Sequence, residues 1–130
     1  MAGIQPQVLA LVVCDAIHRD PSTGKNSLLG CFSALSCREF PARHPSLAVY
    51  VVLTEVYGAR PILVRLVRPD GQSALVQAAA EVRADDPRLV VEVAVGFHDI
   101  PLPAAEEVRV QVLCDGTLMS ERRLQIVGAL

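Results

Sequence analysis

The residues of this chain best suited to chemistry cluster in one polar stretch between two apolar runs, Asp20-Pro21-Ser22-Thr23-Gly24-Lys25-Asn26. Its Thr-Gly-Lys order matches the end of a phosphate-binding loop, in which backbone N–H groups, a lysine and a hydroxyl surround phosphate oxygens. That loop also needs a glycine at position 19, a Ser or Thr at position 26 and a helix directly afterwards. This chain has Arg19 and Asn26 there, and Ser27 to Cys37 reads as a strand. Nucleotide binding through the loop is therefore not expected. Lys25 is nevertheless the only lysine of the chain and Asn26 the only asparagine, so both rare polar side chains stand at one turn.

Asp15 interrupts the apolar run Val8 to Ile17. A carboxylate buried in such a strand has to be paired, hydrogen-bonded or protonated. Pairing the strand with its successor about the Asp20–Lys25 turn sets Asp15 opposite Gly30, whose missing side chain leaves it room. Asp15 is thus expected at a strand end, accepting hydrogen bonds from loop backbone, with a ligand-facing role as the alternative. His18, His44 and His98 fall in or beside three different loops without a His-x-His or His-x-x-x-His spacing, so no metal site is expected. Ser22, Ser27 and Ser33 lack a Gly-x-Ser-x-Gly elbow. Cys14, Cys31, Cys37 and Cys114 show no zinc-type spacing and read as reduced, small apolar residues.

The elements that position these residues follow from a period of two in the apolar pattern. Val8 to Ile17 reads as a strand covered on both sides, Asp20 to Lys25 as a turn and Ser27 to Cys37 as the returning strand. Prolines at 41 and 45 mark a break. Leu47 to Tyr57 is a strand apolar on both faces, ended by Gly58. Pro61 to Arg68 and Ser73 to Arg83 flank an Asp70-Gly71 turn, and Asp85-Asp86-Pro87 turns the chain again. Leu89, Val91, Val93, Val95 and Phe97 are the inward set of the next strand, followed by a loop from Asp99 to Ala105. Val108, Val110, Val112 and Cys114, the Asp115-Gly116 turn, and Leu124 with Ile126 make the last hairpin. Seven to eight strands without an amphipathic helix predict an all-β fold, an antiparallel β-sandwich, immunoglobulin-like in outline, in a single domain over residues 1–130.

Composition narrows the function classes. The chain has 130 residues, 52% of them apolar and 20% charged, so a real core is within reach without disulfides or metals. A net charge of −2 argues against binding nucleic acid or an anionic membrane, both of which reward a basic surface. Two Tyr, three Phe and no Trp leave no aromatic base-stacking platform. No secretory signal is visible and no apolar run is long enough to span a bilayer, so a cytoplasmic location is expected.

Cys14-Asp15, Asp20-Pro-Ser-Thr-Gly-Lys25, Leu28-Leu29-Gly30-Cys31-Phe32 and Phe40-Pro41 together resemble the opening motif of a family of small bacterial all-β proteins of unknown function. The resemblance runs more loosely to the final strand pair. It implies an all-β domain of about this length and brings no activity, cofactor or catalytic residue with it.

The function expected is a non-enzymatic protein-interaction or assembly module. The both-faced strand Leu47 to Leu53 points to cover by another chain, hence a homo-oligomer. Asp20, Thr23, Lys25 and Asn26 are the candidate contacts, with Asp15, Gly24 and Gly30 shaping the loop beneath them. Two alternatives stand beside it. One is a protein binding a small molecule or anion, with hydrolytic potential, using Asp15 to Asn26 and a remote histidine. The other is a structural component of a larger assembly. No cofactor is expected.

Overall fold

A computed structural model describes residues 5–129 as nine β-strands, with no helix among the described residues. They are β1 (Gln7–Arg19), β2 (Asn26–Cys31), β3 (Ala34–Cys37), β4 (Ala42–Thr54), β5 (Gly58–Val67), β6 (Ala74–Ala84), β7 (Val91–Leu102), β8 (Glu106–Cys114) and β9 (Thr117–Gly128). Two sheets share one core, a four-stranded sheet in the order β2-β1-β4-β7 and a five-stranded sheet in the order β3-β9-β8-β5-β6.

Alternation explains the core. In the first sheet Val13, Val49 and Val95 stand in register across β1, β4 and β7 and are at most 8% exposed. In the second, Ile62, Val64 and Leu66 of β5 face Cys114, Val112 and Val110 of β8, all 0–1% exposed. β-branched residues suit these pleated, half-buried strands. Burying each Val, Leu or Ile contributes roughly 1.5–3 kcal/mol, and Phe97 is the one aromatic within the fully buried cluster. Truncation of Leu53, fully buried near the end of the inner strand β4, to alanine is expected to cost about 2–5 kcal/mol.

The structure departs from the sequence pattern at four places. The run Ser27 to Cys37 is two strands. Gly30 takes a left-handed φ of 68° within β2, β2 stays with β1 as far as Cys31, the chain bends at Ser33, and β3 crosses to the second sheet to lie parallel to β9, with Ala34 opposite Gln125. Nine strands therefore replace seven to eight, and one pair is parallel. Secondly, β4 runs through Pro45 and β7 through Asp99 and Pro101, where a break and a loop were expected. The ladder steps from Ser46–His98 to His44–Ile100, passing over Pro45 and a left-handed Asp99 at φ 52°, so the missing proline N–H is never called on. Thirdly, Gly58 opens β5 and does not end β4, which stops at Thr54 before a left-handed Glu55. Lastly, Leu89 is 53% exposed in the turn before β7, not inward.

Candidate functional site

The first hairpin is an arm. β1 pairs with β4 only as far as Cys14–Ala48, whereas its pairing with β2 begins at Cys14–Cys31 and continues to Arg19–Asn26. Beyond Cys14 the two-stranded β1–β2 arm has no ladder to β4, whose residues Ala42 to Leu47 pair with β7 alone. The parting opens a cleft of about 280 Å³, with Asp15 and Ile17 on the arm side and Ser46, Ala48, Gly96 and His98 on the β4–β7 side.

At the base of the arm Asp15 and Gly30 fit each other as the hairpin register predicts. A Cβ on Gly30 would overlap the Asp15 carboxylate and stand 2.9 Å from its Cγ, and the left-handed φ already favours glycine. Asp15 itself is exposed and accepts no hydrogen bond among the described residues, so the expected bonds from loop backbone are not formed. The apolar strand around it is covered on one side only, which removes the need for a buried partner.

The tip of the arm is a self-contained turn. Asp20 Oδ1 accepts from Ser22 N at 2.9 Å and from Ser22 Oγ at 2.8 Å. The Ser22 hydroxyl, followed by the Ser22 backbone N–H, holds the Asp20 carboxyl below the usual carboxylate range. Gly24 N donates to Asp20 O at 2.7 Å, Asp20 N donates to Lys25 O at 2.9 Å, and Lys25 N donates to Thr23 Oγ1 at 3.2 Å. Asp20 and Thr23 therefore serve the turn itself, and Gly24 supplies its positive φ of 73°. Lys25 is exposed and Asn26 partly so; among the described residues neither side chain is held by a hydrogen bond or ion pair.

Of the three histidines, His98 shares the cleft with Asp15, His18 is exposed on the arm, and the His44 ring packs edge-on against Phe32 at 6.4 Å. Among the described residues no three His, Cys, Asp or Glu side chains group to hold a metal ion. A larger concavity, about 640 Å³, lies where Pro41–Arg43, Arg68 and Pro101–Pro103 meet. Arg43 is paired with Asp99 at 3.0 Å and Arg68 with Glu106 at 2.8 Å, so neither cation is left for a ligand.

The two outer faces of the sandwich differ in kind. On the five-stranded sheet Gln111, 7% exposed, accepts from Arg65 Nε at 2.9 Å and donates to Glu121 at 2.9 Å, and Arg109 also donates to Glu121 at 2.8 Å. That face is a knit of paired charges. On the four-stranded sheet the outer rows are Ala10–Val52–Glu92, Val12–Tyr50–Ala94, Cys31–Cys14–Ala48–Gly96 and the pairs Leu29–Ala16 and Ser46–His98. These rows contain no Lys or Arg, and their one carboxylate, Glu92, accepts from the Tyr50 hydroxyl. That hydrogen bond, with smaller effects of burial and of the negative charge, pushes the Tyr50 phenol up to about 12. On this face Leu29 is 53% exposed and Ala94 and Gly96 are exposed as well, whereas Cys14 at 0% and Ala48 at 8% are buried within the same rows. The apolar character of both faces of Leu47 to Leu53 signalled it; the contributions of Ala94 and Gly96, small residues at alternate positions of β7, did not stand out.

No helix among the described residues is long and apolar enough to cross a membrane. No curated protein matches the chain. The family model described as "Family of unknown function (DUF6941)" matches residues 9–127, which reaches from within β1 to within β9, and the chain belongs to that family.

Proposed function

We propose that this protein is a non-enzymatic interaction and assembly module whose working surface is the outer face of the four-stranded sheet, continued onto the β1–β2 arm. The observation that supports this reading is the contrast between a charge-knit face on one sheet and an apolar, small-residue face on the other. An exposed apolar sheet face is unfavourable in water unless something covers it. The occupant is a second copy of the chain. Two such faces bring together Glu92, which is hydrogen-bonded, and Asp15 at the rim of the cleft as their carboxylates, and Ala48, Ala94 and Gly96 let two sheets approach to the roughly 10 Å of face-to-face packing. The parallel β3–β9 pair supports an immunoglobulin-like outline, and four unpaired cysteines support a reducing, cytoplasmic compartment. The test is light scattering on wild type and Ala94→Arg, a substitution at an exposed position. Wild type is expected at a multiple of 14.0 kDa and the variant at 14.0 kDa. A wild type that stays monomeric at every concentration, or a variant of unchanged mass, refutes the reading.

The cleft favours a second reading, a small polar ligand held between Asp15 and His98. A compound that raises the melting temperature of wild type but not of His98→Ala would support it over assembly.

A further inference from the structure

Cys14 and Cys31 are directly opposed partners in the antiparallel β1–β2 pair. Opposed residues project to the same face, with Cα atoms roughly 4.5–5.5 Å apart. That separation lies inside the roughly 4.4–6.8 Å window of disulfide bonds. The other two cysteines have no such partner: Cys37 stands opposite Gly128, and Cys114 opposite Thr117 and Ile62. All four are thiols in the structure. We propose that Cys14 and Cys31 form a reversible cross-strand disulfide, a redox-sensitive staple at the base of the arm.

The two thiols divide the work by exposure. Cys31 is exposed at the edge strand and meets the oxidant, whereas Cys14 is 0% exposed, its Sγ donating toward Ala16 O at 3.4 Å and Ala48 O at 3.8 Å. With a peroxide as the oxidant, the Cys31 thiolate attacks one oxygen, the O–O bond breaks, and hydroxide leaves. Cys14 then attacks the sulfur of the resulting sulfenic acid, the S–S bond forms and the S–O bond breaks to release water. Two thiols lose two electrons and two protons, and one hydrogen peroxide becomes two waters. Burial, and then the neighbouring Cys31, push the Cys14 thiol up. The second step therefore quickens as the medium is made alkaline.

The staple would close the arm from Asp15 to Gly30 into a covalent loop that carries Lys25 and Asn26 at its tip. Reduction frees it, so the pairing of β2 with β1 at the base of the arm comes under redox control. This is independent of the assembly reading, although a partner on the outer face would shield Cys31.

The test treats the purified chain with hydrogen peroxide across a dilution series, then counts thiols and maps peptides by mass spectrometry. Thiols should fall from four to two, with the loss of two hydrogen atoms in mass and a Cys14–Cys31 cross-linked peptide that dithiothreitol reverses. Cys31→Ser, at an exposed position, should keep all three of its remaining thiols unlinked, while Cys37→Ser should behave as wild type. Shielding by assembly yields to dilution; a pair that cannot bond does not. Failure to form the cross-link at the highest dilution, a Cys31–Cys31 link between chains, or a link to Cys37 would overturn the proposal.

Discussion

Replacing Gly30 by alanine perturbs the base of the arm in two separable ways. Gly30 holds a left-handed backbone at φ 68°, and a Cβ built there overlaps the carboxylate of Asp15. The left-handed conformation costs an L-residue about 1–2 kcal/mol. Driving Asp15 away from its rotamer adds about 0.5–1.5 kcal/mol, for a total destabilisation of about 1.5–3.5 kcal/mol. A urea titration followed by circular dichroism reads this directly. With a slope of about 1–3 kcal/mol per molar, the midpoint should fall by on the order of 1 M. The double-mutant cycle separates the two contributions. Asp15→Ala alone should stay within about 0.5 kcal/mol, because the side chain is exposed and accepts no hydrogen bond. In that background Gly30→Ala should retain only the backbone part, leaving a coupling of about 0.5–1.5 kcal/mol. A Gly30→Ala variant as stable as wild type, or one equally destabilised with and without Asp15, would refute the reasoning.

Tyr50, held up at about 12 by its bond to Glu92, should ionise later than a free phenol. Its contribution is complete below the ordinary value of 10.0 and is lost as pH rises toward about 12, which ultraviolet titration of wild type against Tyr50→Phe will show. Asp70 is pulled down to about 2 by the Ser73 hydroxyl and then by the Ser73 and Gln72 N–H groups. Its contribution is present above the ordinary value of 3.8 and is lost as pH falls through about 2. Carboxyl NMR should find the low value, and Ser73→Ala should raise it; titration of Asp70 near 3.8 in wild type would count against the geometry. Gln111→Ala removes the amide that joins Arg65 to Glu121 and should cost about 1–2 kcal/mol in denaturant, with the Glu121 carboxyl rising toward its usual range.

Much of this architecture is legible in the sequence because one periodicity carries it. Val108, Val110 and Val112 alternate with Glu107, Arg109 and Gln111, and that alternation sets one face in the core and the other in a polar network. The opposition of Asp15 and Gly30 could likewise be counted off from the turn. What a period of two does not encode is the sheet to which a strand belongs. Ser27 to Cys37 is one apolar run, and only the inward Phe32, the bend at Ser33 and the bond from Gln125 N to Ser33 O divide it between two sheets. Prolines misled for a related reason. Pro45 and Pro101 look like breakers, but Pro45 falls between the Ser46–His98 and His44–Ile100 pairs and Pro101 stands opposite Arg43, so the β4–β7 register runs on through both.

At the site, residue type pointed to the right turn. It did not separate the side chains that build the turn from those left to meet a partner. Asp20 and Thr23 are bonded to backbone within three residues, a pairing set by loop geometry and invisible in a list of polar residues. The open outer face was legible only as a surplus, a strand with more apolar residues than one core needs.

The parallel pairing of β3 with β9 bears on how the chain is made. Ala34 to Cys37 find their ladder partners in Gln125 to Gly128, near the opposite end of the chain. A ribosome delivers the first segment long before the second, so a nascent chain carries β3 as an unpaired edge until β9 has been made. Closure of the second sheet thus waits on the emergence of β9. Truncations that stop short of β9 should leave the N-terminal third competent to form its hairpin but unable to settle against the rest, and such fragments are where aggregation during expression should first be seen.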